Sequence, residues 1–219
     1  MSSITIHNAD CLPAMREMPD DFFDLAICDP PYGIGMDGDI LADHNCKHLM
    51  VWSNPKIKEY KGDWDDSAPS KEYFDQLLRV SRNQIIWGCN YFSDKLPVSG
   101  GRIYWDKGVS MPTLSKGELA WTNMKNSIDQ VSLLWAGYRK CENVERIHPT
   151  QKPIALYQWL LSNYAKEGDR ILDTHLGSGS IAIACHNMGF DLVGYELDED
   201  YYKAALNRLH EHQQQLRLF

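Results

Sequence analysis

Asp29-Pro30-Pro31-Tyr32 follows directly on the apolar run Phe23–Cys28. Six mostly apolar residues stopped by two prolines read as a buried strand that delivers a carboxylate to its carboxyl end. Prolines donate no backbone hydrogen bond, hold the chain rigidly and leave carbonyl oxygens free to accept. A carboxylate beside a fixed carbonyl suits a group with two N–H donors, a planar amine or amide. Tyr32 adds a face on which a planar ring can stack. A strand ending in an ordinary proline turn has the same composition, so the neighbourhood of the motif has to decide between the two readings.

A second chemistry-bearing stretch lies near the other end of the chain. Residues 173–180, Asp-Thr-His-Leu-Gly-Ser-Gly-Ser, sit between a strand pattern and a helix pattern. Gly177 and Gly179 let the backbone approach a ligand closely, and the helix start offers unpaired N–H groups. Glu196 ends the next strand pattern, where a carboxylate can accept both hydroxyl hydrogens of a ribose. With Ala182 the turn also reads as G-x-G-x-x-A, so a nicotinamide dinucleotide, and with it an oxidoreductase, is an alternative to a nucleoside-type cofactor. A tight turn without a ligand is the plainest alternative of all.

The elements that must position these groups follow from hydrophobic periodicity. Strands are expected over 4–7, 23–28, 84–88, 102–105, 131–135, 170–172 and 191–195. Helices are expected over 12–18, 71–80, 154–165, 181–188 and 199–213. Buried strands alternating with helices predict an α/β fold, a doubly wound and largely parallel sheet with helices on both faces. Ligands of such sheets sit outside the carboxyl ends of the strands, where both motifs fall. The 219 residues suffice for one domain, 1–219, with residues 33–70 and 106–147 left over as inserted segments.

Composition sets outer bounds. No apolar stretch approaches membrane-spanning length, and Met1-Ser2-Ser3-Ile4-Thr5 lacks the basic start of a secretory signal. Six cysteines without a C-x-x-C pair fit reduced thiols in a cytoplasmic protein, and the eight histidines form no metal-ligand pattern, so no metal is expected. The net charge of −8 is unevenly distributed. Residues 1–43 carry −8, residues 44–152 carry +4 and residues 153–219 carry −4. A basic middle between acidic ends leaves a nucleic-acid partner open.

Taken together, these motifs resemble the amino-group DNA methyltransferases that use S-adenosylmethionine, in the motif order that puts the catalytic segment before the cofactor segment. Asp29, Pro30, Pro31 and Tyr32 match the family's catalytic motif. His148-Pro149-Thr150-Gln151-Lys152-Pro153 matches the segment ahead of its cofactor helix. Residues 173–180 match the D-P-F-x-G-S-G-T cofactor loop, and Tyr195-Glu196-Leu197-Asp198 the ribose-binding acidic motif. Asn8-Ala9-Asp10-Cys11 resembles the N-terminal G-D-C segment. The resemblance implies a seven-stranded-type methyltransferase sheet, S-adenosylmethionine as cofactor, and methyl transfer to an exocyclic amino group of a flipped-out base. The cofactor-binding set so implied is Asp10, Cys11, Lys152, Asp173, His175, Gly177, Gly179, Ser180 and Glu196. Thr174 and His175 depart from the family's Pro-Phe, and His175 is expected to fill the Phe position as a loop residue.

Asp at the first catalytic position points to adenine N6, with cytosine N4 as the alternative and an RNA or protein amide substrate further off. The implied partner is double-stranded DNA, and the family leaves a homodimer and a cognate restriction endonuclease open. Lys47, His48, Lys56, Lys58 and Lys61, with Trp52 and Tyr60, are expected to meet DNA from the first inserted segment. Lys107, Lys116, Lys125, Arg139 and Lys140, with Trp121 and Tyr138, are expected to do so from the second.

Overall fold

The computed structural model describes residues 2–34, 65, 67–109, 115–136, 139–142 and 146–215. The elements run β1 (Ile4–Asn8), α1 (Cys11–Glu17), β2 (Phe23–Cys28), α2 (Lys71–Val80), β3 (Ser81–Trp87), β4 (Arg102–Asp106), β5 (Gly117–Thr122) and β6 (Ile128–Ser132). A two-residue hairpin, β7 (Trp135–Ala136) with β8 (Arg139–Lys140), precedes α3 (Ile154–Tyr164). Then come β9 (Arg170–Asp173), α4 (Ser180–Met188), β10 (Asp191–Glu196) and α5 (Glu199–Gln214).

Among the described residues eight strands form one sheet in the order β1-β10-β9-β2-β3-β5-β4-β6. Every pairing is parallel except those of β5, which runs antiparallel to both β3 and β4. The doubly wound sheet with helices is thus present, with one reversed strand. β5 and the true span of β6 are where the sequence reading departs from the structure. Residues 117–122 read as loop because Gly117, Glu118, Thr122 and the polar neighbours hide the short apolar core Leu119-Ala120-Trp121. The strand expected at 131–135 begins at Ile128 instead.

Strand burial explains the sheet's order. β2 is buried at five of its six residues and lies in the middle of the sheet. Side chains alternate between two cores, as strand geometry requires. Leu25, Ile27, Ile85, Trp87, Ile103, Trp105 and Ile171 join the layer of α3, α4 and α5. Ala26, Cys28, Ile86 and Leu172 join the layer of α1 and α2. α1, α2 and α5 are capped by the polar side chain that precedes them, which satisfies donors of the first turn. Asp10 accepts from Leu12 N, Ser70 from Tyr73 N, and Asp198 from Asp200 N and Tyr201 N. Among the described residues no helix is long and apolar enough to cross a membrane.

The topology opens a crevice between β9 and β2. From β9 the chain winds through α4 to β10 on one side, and from β2 through α2 to β3 on the other. Such a switch point leaves the carboxyl ends of the two central strands uncovered. Ala26 stands opposite Leu172, so residues 29–32 and 173–180 leave the sheet at the same edge.

Candidate active site

At the end of β2 the Asp29 carboxylate is held on both sides. Its Oδ1 accepts from the Tyr32 hydroxyl at 2.8 Å, and its Oδ2 is ion-paired with the Lys152 ammonium. Lys152 also reaches Glu118 Oε2 at 2.9 Å, and Glu118 Oε1 is in turn paired with Lys107. Two carboxylates and two ammonium groups thus form a closed network, with the Tyr32 hydroxyl 3.4 Å from Glu118 Oε2. Lys152 is only 3% exposed, and its charge also lies 5.5 Å from the centre of the Trp87 ring. Burial pushes the Asp29 carboxyl above the usual carboxylate range, with Glu118 adding to the rise and Lys152 opposing it. Burial acts on Glu118 in the same direction, but its two lysines outweigh it and hold it down at about 2.

Tyr32 is fixed as firmly as Asp29. Its ring stacks on Tyr91, centroids 4.9 Å apart and planes 17° from parallel. Gly88 makes room for it: a Cβ there would lie 2.1 Å from Tyr32 Cε1, and Gly88 has φ +71. Only glycine adopts that backbone and leaves that space without strain. The backbone N–H groups of Tyr32 and Gly33 both donate to Asp65 Oδ1, at 2.7 and 2.8 Å. Asp65, Gly88, Tyr91, Trp87 and Glu118 carry no signal of a site in the sequence, and Lys107 reads there only as a cation facing DNA. They lie 33 to 86 residues from Tyr32 in the chain, and only the fold brings them together.

The second cluster surrounds the glycine turn. Asp173 ends β9 at 1% exposure and accepts from His175 N at 3.0 Å. Burial pushes its carboxyl up to about 8, with Asp29 and Glu196 adding to the rise. Glu196 ends β10 and accepts from Gly177 N at 2.7 Å and Asp198 N at 3.0 Å. Each of its oxygens keeps a second lone pair for another donor. Gly177 and Gly179 have φ of 53 and 69, and α4 begins with no side-chain cap on its first turn. His175 lies edge-on to Tyr73, centroids 5.3 Å apart, and burial lowers its imidazole to about 4. It is therefore a neutral ring at physiological pH. Thr174, the other departure from the family pattern, is held by the Tyr73 hydroxyl of α2 at 2.6 Å.

Four expected cofactor residues have side chains engaged within the protein. The Ser180 hydroxyl is buried and engaged by Ser178 and Arg208, at 3.1 and 2.9 Å, so it braces α4 against α5. The Cys11 side chain packs into the α1–α2 core, where burial raises its thiol to about 12. Lys152 points into the Asp29 network. Asp10 sits beyond the end of β1 with its carboxylate committed to capping α1. These side chains are held by the protein, because a helix start and a buried turn need partners of their own.

The DNA-facing expectations fare unevenly. Of the first inserted segment, Lys47, His48, Lys56, Lys58, Lys61, Trp52 and Tyr60 lie outside the described residues, as does Tyr138 of the second. Trp121 is a core side chain at 2% exposure, its indole N–H donated to Pro97 O at 3.0 Å, so it offers no face for a base. Lys107 and Lys125 are paired with Glu118 and Asp129, and Lys140 lies over the Trp135 ring. Lys116 is exposed. No cluster of metal-ligand residues occurs among the described residues.

Comparison with known proteins agrees with this arrangement. A family model described as DNA methylase matches residues 99–207. The type II methyltransferase M2.LlaDCHI of Lactococcus lactis subsp. cremoris is 25% identical, over 96% of this chain and 90% of its own. The M1.HpyAVI–SAM complex superimposes with a TM-score of 0.58 at 19% identity, over 94% of this chain and 99% of its own. The cytosine-N4-specific PvuII DNA methyltransferase gives 0.59 at 12% identity, over 97% and 92%. With a doubly wound sheet that carries its acidic proline motif and its glycine turn at one edge, this chain is similar to the amino-group DNA methylases.

Proposed function

We propose that the protein transfers a methyl group from S-adenosylmethionine to the N6 amino group of adenine in double-stranded DNA. The observation that carries this reading is the position of Asp29. It is a buried carboxylate at the carboxyl end of β2, beside the stacked ring of Tyr32, on the sheet edge shared with the glycine turn and Glu196. The M1.HpyAVI neighbour is a complex with S-adenosylmethionine. The local chemistry of this chain fits the same cofactor. Glu196 has acceptor capacity left for ribose hydroxyls, Gly177 gives close backbone approach, and the uncapped start of α4 presents N–H donors. Asp10, Asp173, His175 and Gly179 frame the same turn. When bound, the cofactor supplies a methyl group on a positively charged sulfur.

The chain's own residues then have to present an amino group to that methyl. An exocyclic amine is a weak nucleophile because its lone pair is delocalised into the ring. Asp29 and the Pro30 carbonyl accept its two N–H hydrogens, which localises the lone pair, and Pro31 keeps the two acceptors in fixed relation. Each Asp29 oxygen already has one partner and keeps a lone pair for the amine. The base reaches this depth only after leaving the duplex, at a cost of a few kcal/mol, and stacking on the Tyr32 ring offsets part of that cost. Tyr91 covers one face of Tyr32, so the base uses the other. Residues 1–219 act as one catalytic domain, and residues 33–70, with the parts of 106–147 outside β5 and β6, supply target recognition.

Adenine is preferred on the resemblance of an Asp-Pro-Pro-Tyr motif to those of adenine methylases. Cytosine N4 is the second reading, favoured by the fold shared with the PvuII enzyme. Incubating DNA with the protein and labelled cofactor, then digesting to nucleosides for mass spectrometry, tests both. N6-methyladenine is expected, and Asp29→Ala abolishes it. N4-methylcytosine would replace the first reading with the second. A near wild-type rate from Asp29→Ala would refute the site.

A further inference from the structure

The network around Asp29 contains more charge than presenting an amine requires. A lone pairing of Lys152 with Asp29 would tie the carboxylate to a buried ammonium, and an incoming amino group would have to compete with it. The structure divides that ammonium. Lys152 Nζ contacts Asp29 Oδ2 and lies 2.9 Å from Glu118 Oε2, and Glu118 is itself anchored from behind by Lys107. Glu118 comes from β5, which runs antiparallel to β3 and β4 and places Glu118 opposite Trp105 of β4. Its carboxylate is about one-fifth exposed, and Gly117 beside it lets the strand pass within van der Waals contact of Tyr104.

Resting on the reading of Asp29 as the group that receives the amine, we propose that Glu118 is a positioning residue for it. Glu118 shares the Lys152 ammonium and so keeps Asp29 open to the substrate, and Lys107 holds Glu118 in place. The groups facing Asp29 are Lys152 from the loop before α3, Tyr32 from its own loop, Glu118 from β5, Tyr157 from α3 and Asp173 from β9. Of these, Lys152 favours the ionised carboxylate and Glu118 opposes it, so the charge on these two side chains shows directly in the titration of Asp29.

The test is the pH dependence of kcat at saturating cofactor, which reports groups in the bound complex. Glu118→Gln removes one negative charge and leaves Asp29 as the sole carboxylate paired with Lys152. The acid limb of kcat moves to lower pH, and the plateau falls about tenfold or more because the amine must now displace a full ion pair. Lys107→Met leaves Glu118 less compensated, so the acid limb moves to higher pH. Loss of packing alone would lower the rate without moving the limb in opposite directions for the two variants. Limbs that stay put, or that move together, overturn the proposal. If Glu118→Gln fails to fold by circular dichroism, Lys107→Met decides alone, an upward shift supporting the proposal and an unmoved limb overturning it. A wild-type protein that methylates no DNA refutes the functional reading itself, and this inference with it. A wild-type protein that methylates DNA while both limbs stay put refutes only the role of Glu118.

Discussion

Lys152→Met is the perturbation whose size the structure constrains best. The side chain is 3% exposed and sits between two carboxylates that are 13% and 20% exposed. Methionine follows the path of the lysine stem, so little cavity forms, and the effect is almost wholly electrostatic. Removing one partner of a buried ion pair costs about 3–5 kcal/mol because the remaining charge keeps its desolvation penalty. Lys107 still compensates Glu118, which places this case near the lower end, at about 3 kcal/mol. The pH dependence gives the sharper check. Lys152 lowers both carboxyls, so without it both rise, Asp29 further above its unfolded value. A carboxyl raised in the folded state contributes its stability below the unfolded value of about 4 and loses it as pH rises. The wild-type Glu118, held down at about 2, does the reverse: its contribution is present above the unfolded value and lost as pH falls toward about 2. The deficit of the variant is therefore largest near pH 8 and shrinks toward pH 5. Urea unfolding of both proteins at the two pH values measures it. A deficit below about 1 kcal/mol at pH 8, or an equal deficit at both, would refute the electrostatic account.

Three further outcomes follow from the geometry. Gly88→Ala forces a Cβ to within 2.1 Å of the Tyr32 ring at a positive φ, and methylation falls about a hundredfold as the ring is displaced; a near wild-type rate would contradict the close packing. Tyr32→Phe keeps the ring on Tyr91 but loses the hydroxyl to Asp29, whereas Tyr32→Ala loses both, so a fluorescent base analogue in the target site shows much weaker flipping with Ala than with Phe. Equal losses would rule out stacking. Glu196→Ala removes a charged acceptor worth about 1.5–3 kcal/mol, which weakens S-adenosylhomocysteine binding about 10- to 100-fold in calorimetry; unchanged affinity would remove Glu196 from the cofactor site.

The sequence by itself determined the ends of the central strands and what they carry. β2 and β9 are short apolar runs stopped by prolines or glycines, and a buried parallel strand has few other ways to be written. Asp29, Asp173 and Glu196 could therefore be placed at one sheet edge before any coordinate was known. The helices were equally legible, because amphipathic spacing is a local signal. Only the tertiary structure decided which polar groups share that edge. β5 has no clear period, yet its reversal between β3 and β4 brings Glu118 beside a lysine 34 residues further on. Tyr91 and Gly88 likewise gain their meaning from Tyr32, more than 50 residues earlier. Trp121 and Lys107 show the converse: an aromatic and a cation that looked available for DNA are committed to the core and to Glu118. Periodicity records which face of an element is buried. It does not record which partner will meet the exposed charge, because that partner is chosen by the order of the strands.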